Sequence, residues 1–271
     1  MTIPIRARSG RWALLLGVLL IAALVLGILM HGQRERARLN AQLLSLYPQD
    51  VASHPALVRF AIAQARPLYE KHCAACHGRN MQGNPAIGAA NLVDGDWIWG
   101  RGTVFQIERI ILYGIRSGNP QALGETDMPA FGLMGRLSPA QINELVQYLL
   151  RLNHRPYDAE AANAGQALFN DVHYGCYDCH GADAHGNPDY GAPNLTVNEW
   201  NNGGDPQSIY DSIYYGRHRI MPAWGGVLSL AQIRALAVYL HVLSQDKEHS
   251  PQPDSQAALS ADTSGGPGVA R

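Results

Sequence analysis

The hydrophobic and polar positions of the chain fall into distinct stretches. Trp12 to Met30 is an uninterrupted apolar run of 19 residues. At 1.5 Å per helical residue it just crosses a hydrocarbon core of about 30 Å, which predicts a transmembrane helix. A cleaved secretory signal is the competing reading. Its apolar region spans about 7–15 residues and ends at a small-residue site, whereas this run ends Ile28-Leu29-Met30-His31. Residues 1–31 are therefore read as a short leading segment and a retained anchor. Residues 32–62 read as a linker, helical over Arg34 to Leu46 and broken at Tyr47-Pro48. Two later stretches space apolar positions three and four apart: Leu137…Ile142…Leu145…Tyr148-Leu149, and Leu228…Ile233…Leu236…Tyr239-Leu240. Each predicts a helix, with Ser138 and Ser229 as its cap. Residues 246–271 are rich in Ser, Pro, Gly, Ala and Asp without apolar period and predict a disordered tail. No strand-like alternation occurs.

The two predicted helices close two copies of one repeat. At an offset of 103, Cys73-Ala74-Ala75-Cys76-His77-Gly78 falls on Cys176-Tyr177-Asp178-Cys179-His180-Gly181. Gly83-Asn84-Pro85, Gly88-Ala89, Asn91-Leu92 and Trp97 likewise fall on Gly186-Asn187-Pro188, Gly191-Ala192, Asn194-Leu195 and Trp200. Tyr113-Gly114 then matches Tyr215-Gly216, and Met128-Pro129-Ala130-Phe131-Gly132 matches Met221-Pro222-Ala223-Trp224-Gly225. The first copy carries nine more residues between Gly114 and Met128, read as a surface loop. Residues 63–154 and 158–245 thus form two mainly α domains of about 90 residues each.

A formal net charge of −1 argues against a nucleic-acid binder, and four cysteines in 271 residues are too few for a disulfide-dense scaffold. The charge is unevenly placed. Arg66 to Asn153 holds eight basic and seven acidic residues, whereas Asp158 to Gln245 holds three arginines and nine acids. The second copy is therefore the acidic one, suited to a basic partner.

All four cysteines lie in two Cys-x-x-Cys-His motifs. This spacing lets Cys73 and Cys76, and Cys176 and Cys179, add across the vinyl groups of a haem, with His77 and His180 placed as axial ligands. A shared four-cysteine zinc site is the alternative, but it leaves each histidine and the matched methionines without a role. Met221 is the only methionine after His180, and Met128 is its counterpart in the same Met-Pro-Ala-aromatic-Gly setting; these are the sixth ligands. Met81 and Met134 lack counterparts. Two covalently bound c-type haems with filled coordination suit electron transfer rather than a catalytic iron. Trp97, Trp200, Tyr148 and Tyr239 read as packing residues, and the repeated glycines as sites of close approach of backbone to porphyrin. Haem attachment requires reduced thiols outside the bacterial cytoplasm, so the haem domains are expected in the periplasm and the N-terminus in the cytoplasm.

With these motifs the chain resembles subunit III of cbb3-type cytochrome c oxidases, the CcoP/FixP family, over about residues 66–245. The marks are Gly191-Ala192-Pro193-Asn194-Leu195, Tyr113-Gly114-Ile115-Arg116, the two Met-Pro-Ala segments and Leu236-Ala237-Val238-Tyr239. Ala90 replaces the proline of the first Gly-Ala-Pro-Asn-Leu motif. The resemblance implies a mainly α protein of one N-terminal transmembrane helix and two class I cytochrome c domains in a bacterial inner membrane. Cys73, Cys76, His77 and Met128 would hold one haem, and Cys176, Cys179, His180 and Met221 the other. It further implies electron relay from a soluble cytochrome c, here a basic one, through a monohaem cytochrome subunit to a haem–copper oxidase subunit. A stand-alone anchored dihaem carrier and a dihaem peroxidase are the alternatives.

Overall fold

The structure, a computed structural model, describes residues 6–197 and 200–248. Its described residues form nine α-helices and one 3-10 helix, with isolated β-bridges and no strand. Helix α1 (Arg6–Ser45) is continuous from the apolar run into the charged segment that follows. From Leu14 to Met30 its apolar side chains are exposed, as a lipid-facing helix requires. Tyr47-Pro48 ends it, and a 3-10 turn (Pro48–Ser53) leads to α2 (Pro55–His72). α2 starts with Pro55 in its first turn and buries Leu57, Ala61, Ala65 and Tyr69, one turn apart. The segment expected to be linker up to residue 62 thus already contributes to a core, through Leu43, Val51, Leu57 and Ala61.

Each copy then follows the same order. α3 (Ala74–His77) and α7 (Cys176–His180) are single turns built on the Cys-x-x-Cys-His motifs. α4 (Val104–Tyr113) and α8 (Pro206–Tyr215) start at Thr103 and Asp205, whose side chains accept backbone N–H bonds of the first turn. α5 (Pro139–Leu152) and α9 (Leu230–Glu248) are the helices expected from apolar spacing. Ser138 with Gln141, and Ser229 with Gln232, bond reciprocally at their starts. α6 (Ala159–Phe169), capped by Asp158, opens the second copy. α9 runs three residues past the expected boundary at 245; the rest of the expected tail, 249–271, lies outside the described residues.

The packing does not follow the repeat. α5, which closes the first copy, packs on α6 and α8 of the second. α9, which closes the second copy, packs on α2 and α4 of the first. One core joins Ala61, Ala65, Tyr69, Ile107 and Ile111 to Ile233, Leu236 and Val238. The other joins Ile142, Leu145, Val146 and Tyr148 to Phe169, Ile209 and Ile213. The copies have exchanged their closing helices, and each packing unit, termed first or second after the cysteine pair it contains, is built from both halves of the chain. At Gly165 on α6, a Cβ would lie 2.0 Å from the Glu144 carbonyl oxygen of α5, so only glycine admits this approach.

Candidate functional site

The two Cys-x-x-Cys-His turns are held alike. Gly78 and Gly181 close them at φ +77° in both cases, a conformation suited to glycine. His77 donates through Nδ1 to the Ala90 carbonyl at 2.9 Å, and His180 to that of Pro193 at 3.1 Å. Each bond leaves Nε2 as the free lone pair for a metal. Only the carbonyl of residue 90 is used, so alanine serves where the second copy has proline. Burial pushes both imidazoles below their usual pKa, favouring the neutral form a metal needs. Burial also pushes the Cys73 and Cys176 thiols up to about 11. The loops beyond are superimposable in their bonding: Leu92 N–H donates to Met81 and Leu195 N–H to Ala184, both at 2.8 Å.

The four cysteines are free. Among the described residues no group of three or more His, Cys, Asp or Glu side chains is close enough to hold a metal ion, so the alternative of a shared zinc site is not assembled.

The methionine segments cross between copies. Ile115 and Met221 exchange both backbone bonds at 2.9 Å. Trp224 and Gly225 then donate to Ile111 and Leu112 at the end of α4. In the same way Arg217 donates to Met128 at 3.0 Å, while Phe131 and Leu133 donate to Ile213 and Tyr214 at the end of α8. Met221 consequently packs on the core that includes Cys73, and Met128 on the core that includes Cys176. Each methionine thus sits beside the cysteine pair of the other copy, where the resemblance implied its own. Two repeated glycines explain the approach: a Cβ at Gly114 would lie 2.4 Å from the Met221 oxygen, and one at Gly216 2.5 Å from the Met128 oxygen. These glycines admit backbone to backbone, where the sequence suggested backbone to porphyrin. The other methionines are placed apart, Met81 buried in the first core and Met134 exposed at 61%.

One continuous cavity of about 650 Å³ is lined by both Cys-x-x-Cys-His turns and by both exchanged methionines. Arg116, Arg217 and Arg219 line it where the units meet. Arg116 bonds Asp127 at 2.6 Å and the carbonyls of Thr126 and Arg219, and stands 5.7 Å over the Trp99 ring. His218 holds the other Asp127 oxygen at 2.7 Å. Burial opposes ionisation of Asp127, but bonds from His218 and Arg116 win and hold its carboxyl below the usual range. Arg217 bonds Ser212; burial, then the charge of Arg219, lowers its pKa against the opposing pull of Asp211. A haem, with a flat apolar macrocycle, two vinyl groups and two carboxylates, fits this donor set. Sequence reading gave these residues no role in the site: Arg116 entered only as part of a family mark and His218 as a solvent-facing or packing residue, because the repeat aligns the two but shows no contact between them.

Comparison with known proteins agrees. The family model described as cytochrome c oxidase, cbb3-type, subunit III matches residues 60–149 and 160–240. A cbb3-type cytochrome c oxidase subunit FixP of Bradyrhizobium sp. (strain ORS 278) is 41% identical over 219 residues, 79% of this chain and 72% of its own. A subunit CcoP of Cereibacter sphaeroides is 35% identical, covering 76% of this chain and 69% of its own. A subunit FixP of Azorhizobium caulinodans is 39% identical, covering 78% and 69%. The chain thus belongs to the subunit III family of cbb3-type cytochrome c oxidases, membrane-anchored cytochromes c with covalently bound haem.

Proposed function

We propose that the chain carries two haems c and relays electrons from a soluble basic cytochrome c, by way of a monohaem cytochrome subunit, to the haem–copper subunit that reduces oxygen. The observation that carries this reading is the doubling of one donor set in one cavity: a cysteine pair, a histidine anchored through Nδ1, and a methionine from the other copy. Cys73 and Cys76 would bind one haem, with His77 and Met221 on its two faces. Cys176 and Cys179 would bind the other, with His180 and Met128. A haem c bound there supplies a one-electron Fe(III)/Fe(II) couple. The thioethers of Met128 and Met221 favour the reduced iron and so raise its potential. Arg116, Arg217 and Arg219 line the same cavity and would offset the charge of the haem carboxylates, adding to that bias. With both faces filled, neither site offers a position for peroxide or oxygen, which disfavours the peroxidase reading.

The exchange sharpens the charge contrast. Residues 126–217, which form the second unit, hold four arginines and eleven acids. Residues 55–125 and 218–248, which form the first, hold ten basic residues and seven acids. The second unit is the face for a basic donor, and the first, joined to α1, is the one next to the membrane partners. The chain would cross the inner membrane once, N-terminus inward and both units in the periplasm. Purification through a C-terminal tag tests the reading. Two haems per chain, with a haem–copper subunit and a monohaem subunit in the same complex, are expected; a chain with two haems purified alone from mild detergent would instead favour the stand-alone carrier.

A further inference from the structure

Arg234 lies outside the cavity that both cysteine pairs line, yet among the described residues it is the one charged residue that is buried. From α9 its guanidinium forks onto Glu108 of α4, Nε to Oε2 and Nη2 to Oε1. Its Nη1 donates to the carbonyls of Leu43 and Leu46, each at 3.1 Å. Leu43 belongs to the last turn of α1 and Leu46 lies just past it. Carbonyls there have no partner within the helix and carry the negative end of its dipole, so a cation is the natural cap. Leu43 itself is wholly buried in the core that holds Ala61, Tyr69 and Ile233. The repeat shows that this device is specific to one unit. Arg234 aligns with Asn143, an exposed residue, and Glu108 with Tyr210, which carries no charge. The pair exists only in the unit on which the membrane helix ends.

We propose that Arg234 is a positioning residue that locks the membrane helix to the first haem unit, fixing the height and tilt of that haem above the bilayer. The proposal rests on the reading of a haem at Cys73 and Cys76. The helix is unbroken from Met30 to Leu43, a rigid rise of about 20 Å. At its top a single guanidinium ties three elements together: α1 by its terminal carbonyls, α4 by Glu108, and α9, the helix that follows Met221. The haem that faces the membrane partners is thereby carried on a stalk rather than a tether, and its distance to an acceptor in the oxidase is set by the fold.

Oriented membranes holding the full complex provide the test. The readout is the angular dependence of the electron paramagnetic resonance signals of the two haems. Arg234→Met/Glu108→Gln removes both charges and leaves neither buried alone. Arg234→Lys keeps a charge that can cap the carbonyls but cannot fork onto Glu108. In the unaltered chain both haem signals are expected to depend on angle. In the double variant the haem at Cys73 and Cys76 should lose that dependence, while haem content, the methionine–iron band, both potentials and reduction by a soluble donor stay unchanged and onward transfer to the oxidase slows. Arg234→Lys should show a weakened dependence, and it decides the matter if the double variant does not fold. Unchanged angular dependence in the variants, or its loss only together with haem content and the methionine–iron band, overturns the proposal. A chain that carries no haem at Cys73 and Cys76 overturns the underlying reading, and this is visible in the unaltered protein before any variant is made.

Discussion

Single residues decide which cysteine pair each methionine segment sits beside. The structure sets Met221 with the Cys73 core and Met128 with the Cys176 core, and a background with one haem isolates the pairing. In Cys176→Ala/Cys179→Ala, which leaves the first pair alone, Met221→Ala should abolish the near-infrared methionine–iron band and Met128→Ala should leave it. The reverse result would restore same-copy pairing. Gly216 sits at φ +69° with a Cβ position 2.5 Å from the Met128 oxygen, so Gly216→Ala meets both a left-handed backbone and a clash. Gly118 has φ +80° but open space around it. Gly118→Ala should cost about 1 kcal/mol. Gly216→Ala should lower the melting temperature more and also weaken the band of the haem at Cys176 and Cys179. Equal effects of the two would mean that the strand pairing of Met128 contributes nothing.

At the scale of elements, the caps report on the exchange. Ser138 and Ser229 start α5 and α9, and removing either hydroxyl should cost about 1 kcal/mol. Where that loss appears distinguishes the two ways of assembling the repeat. α5 packs on α6 and α8, so Ser138→Ala should speed amide hydrogen exchange in α6 and spare α2. Ser229→Ala should do the opposite, because α9 packs on α2 and α4. Faster exchange in α2 after Ser138→Ala would contradict the exchanged arrangement.

For the whole molecule, exchange makes the two halves mutually dependent. A protease site placed between His154 and Asp158 should yield two pieces that stay together on a native gel and retain both haem spectra. Each piece lends the other a closing helix and a methionine segment, and separation of the pieces under native conditions would show that they fold alone. Charge acts at the same scale. The second unit carries eleven acids against four arginines, and Asp178 and Asp183 on it are exposed. Reduction by a basic cytochrome c should slow as salt rises, because exposed charges are screened beyond roughly 8 Å at physiological ionic strength. Asp178→Lys/Asp183→Lys should slow it at low salt, and Asp94→Lys/Asp96→Lys on the first unit much less. If both pairs of reversals act alike, the acidic unit is not where the donor docks.

The sequence alone determined what local chemistry determines. The apolar run fixes an anchor helix, because a backbone in lipid must satisfy its own hydrogen bonds. Cysteine and histidine spacing fixes the two Cys-x-x-Cys-His turns, because one turn presents all three side chains. Apolar periodicity and serine caps fix the starts of α5 and α9, each directly after its serine. The tertiary structure decided which copy each helix and methionine completes. Two repeats alike at their motif, glycine, cap and core positions make the exchanged and unexchanged contacts locally equivalent, so no pattern within one copy separates them. The connection does: from Gly216 to Met221 the chain has only four intervening residues, and a short hinge favours passing to the other unit over folding back. Once one segment crosses, the position it leaves can be filled only by its counterpart, and the second crossing follows. Tertiary structure also decided the partners of Arg234, since Glu108 and the end of α1 lie more than a hundred residues away in the chain and reach it only when α9 packs on the first unit.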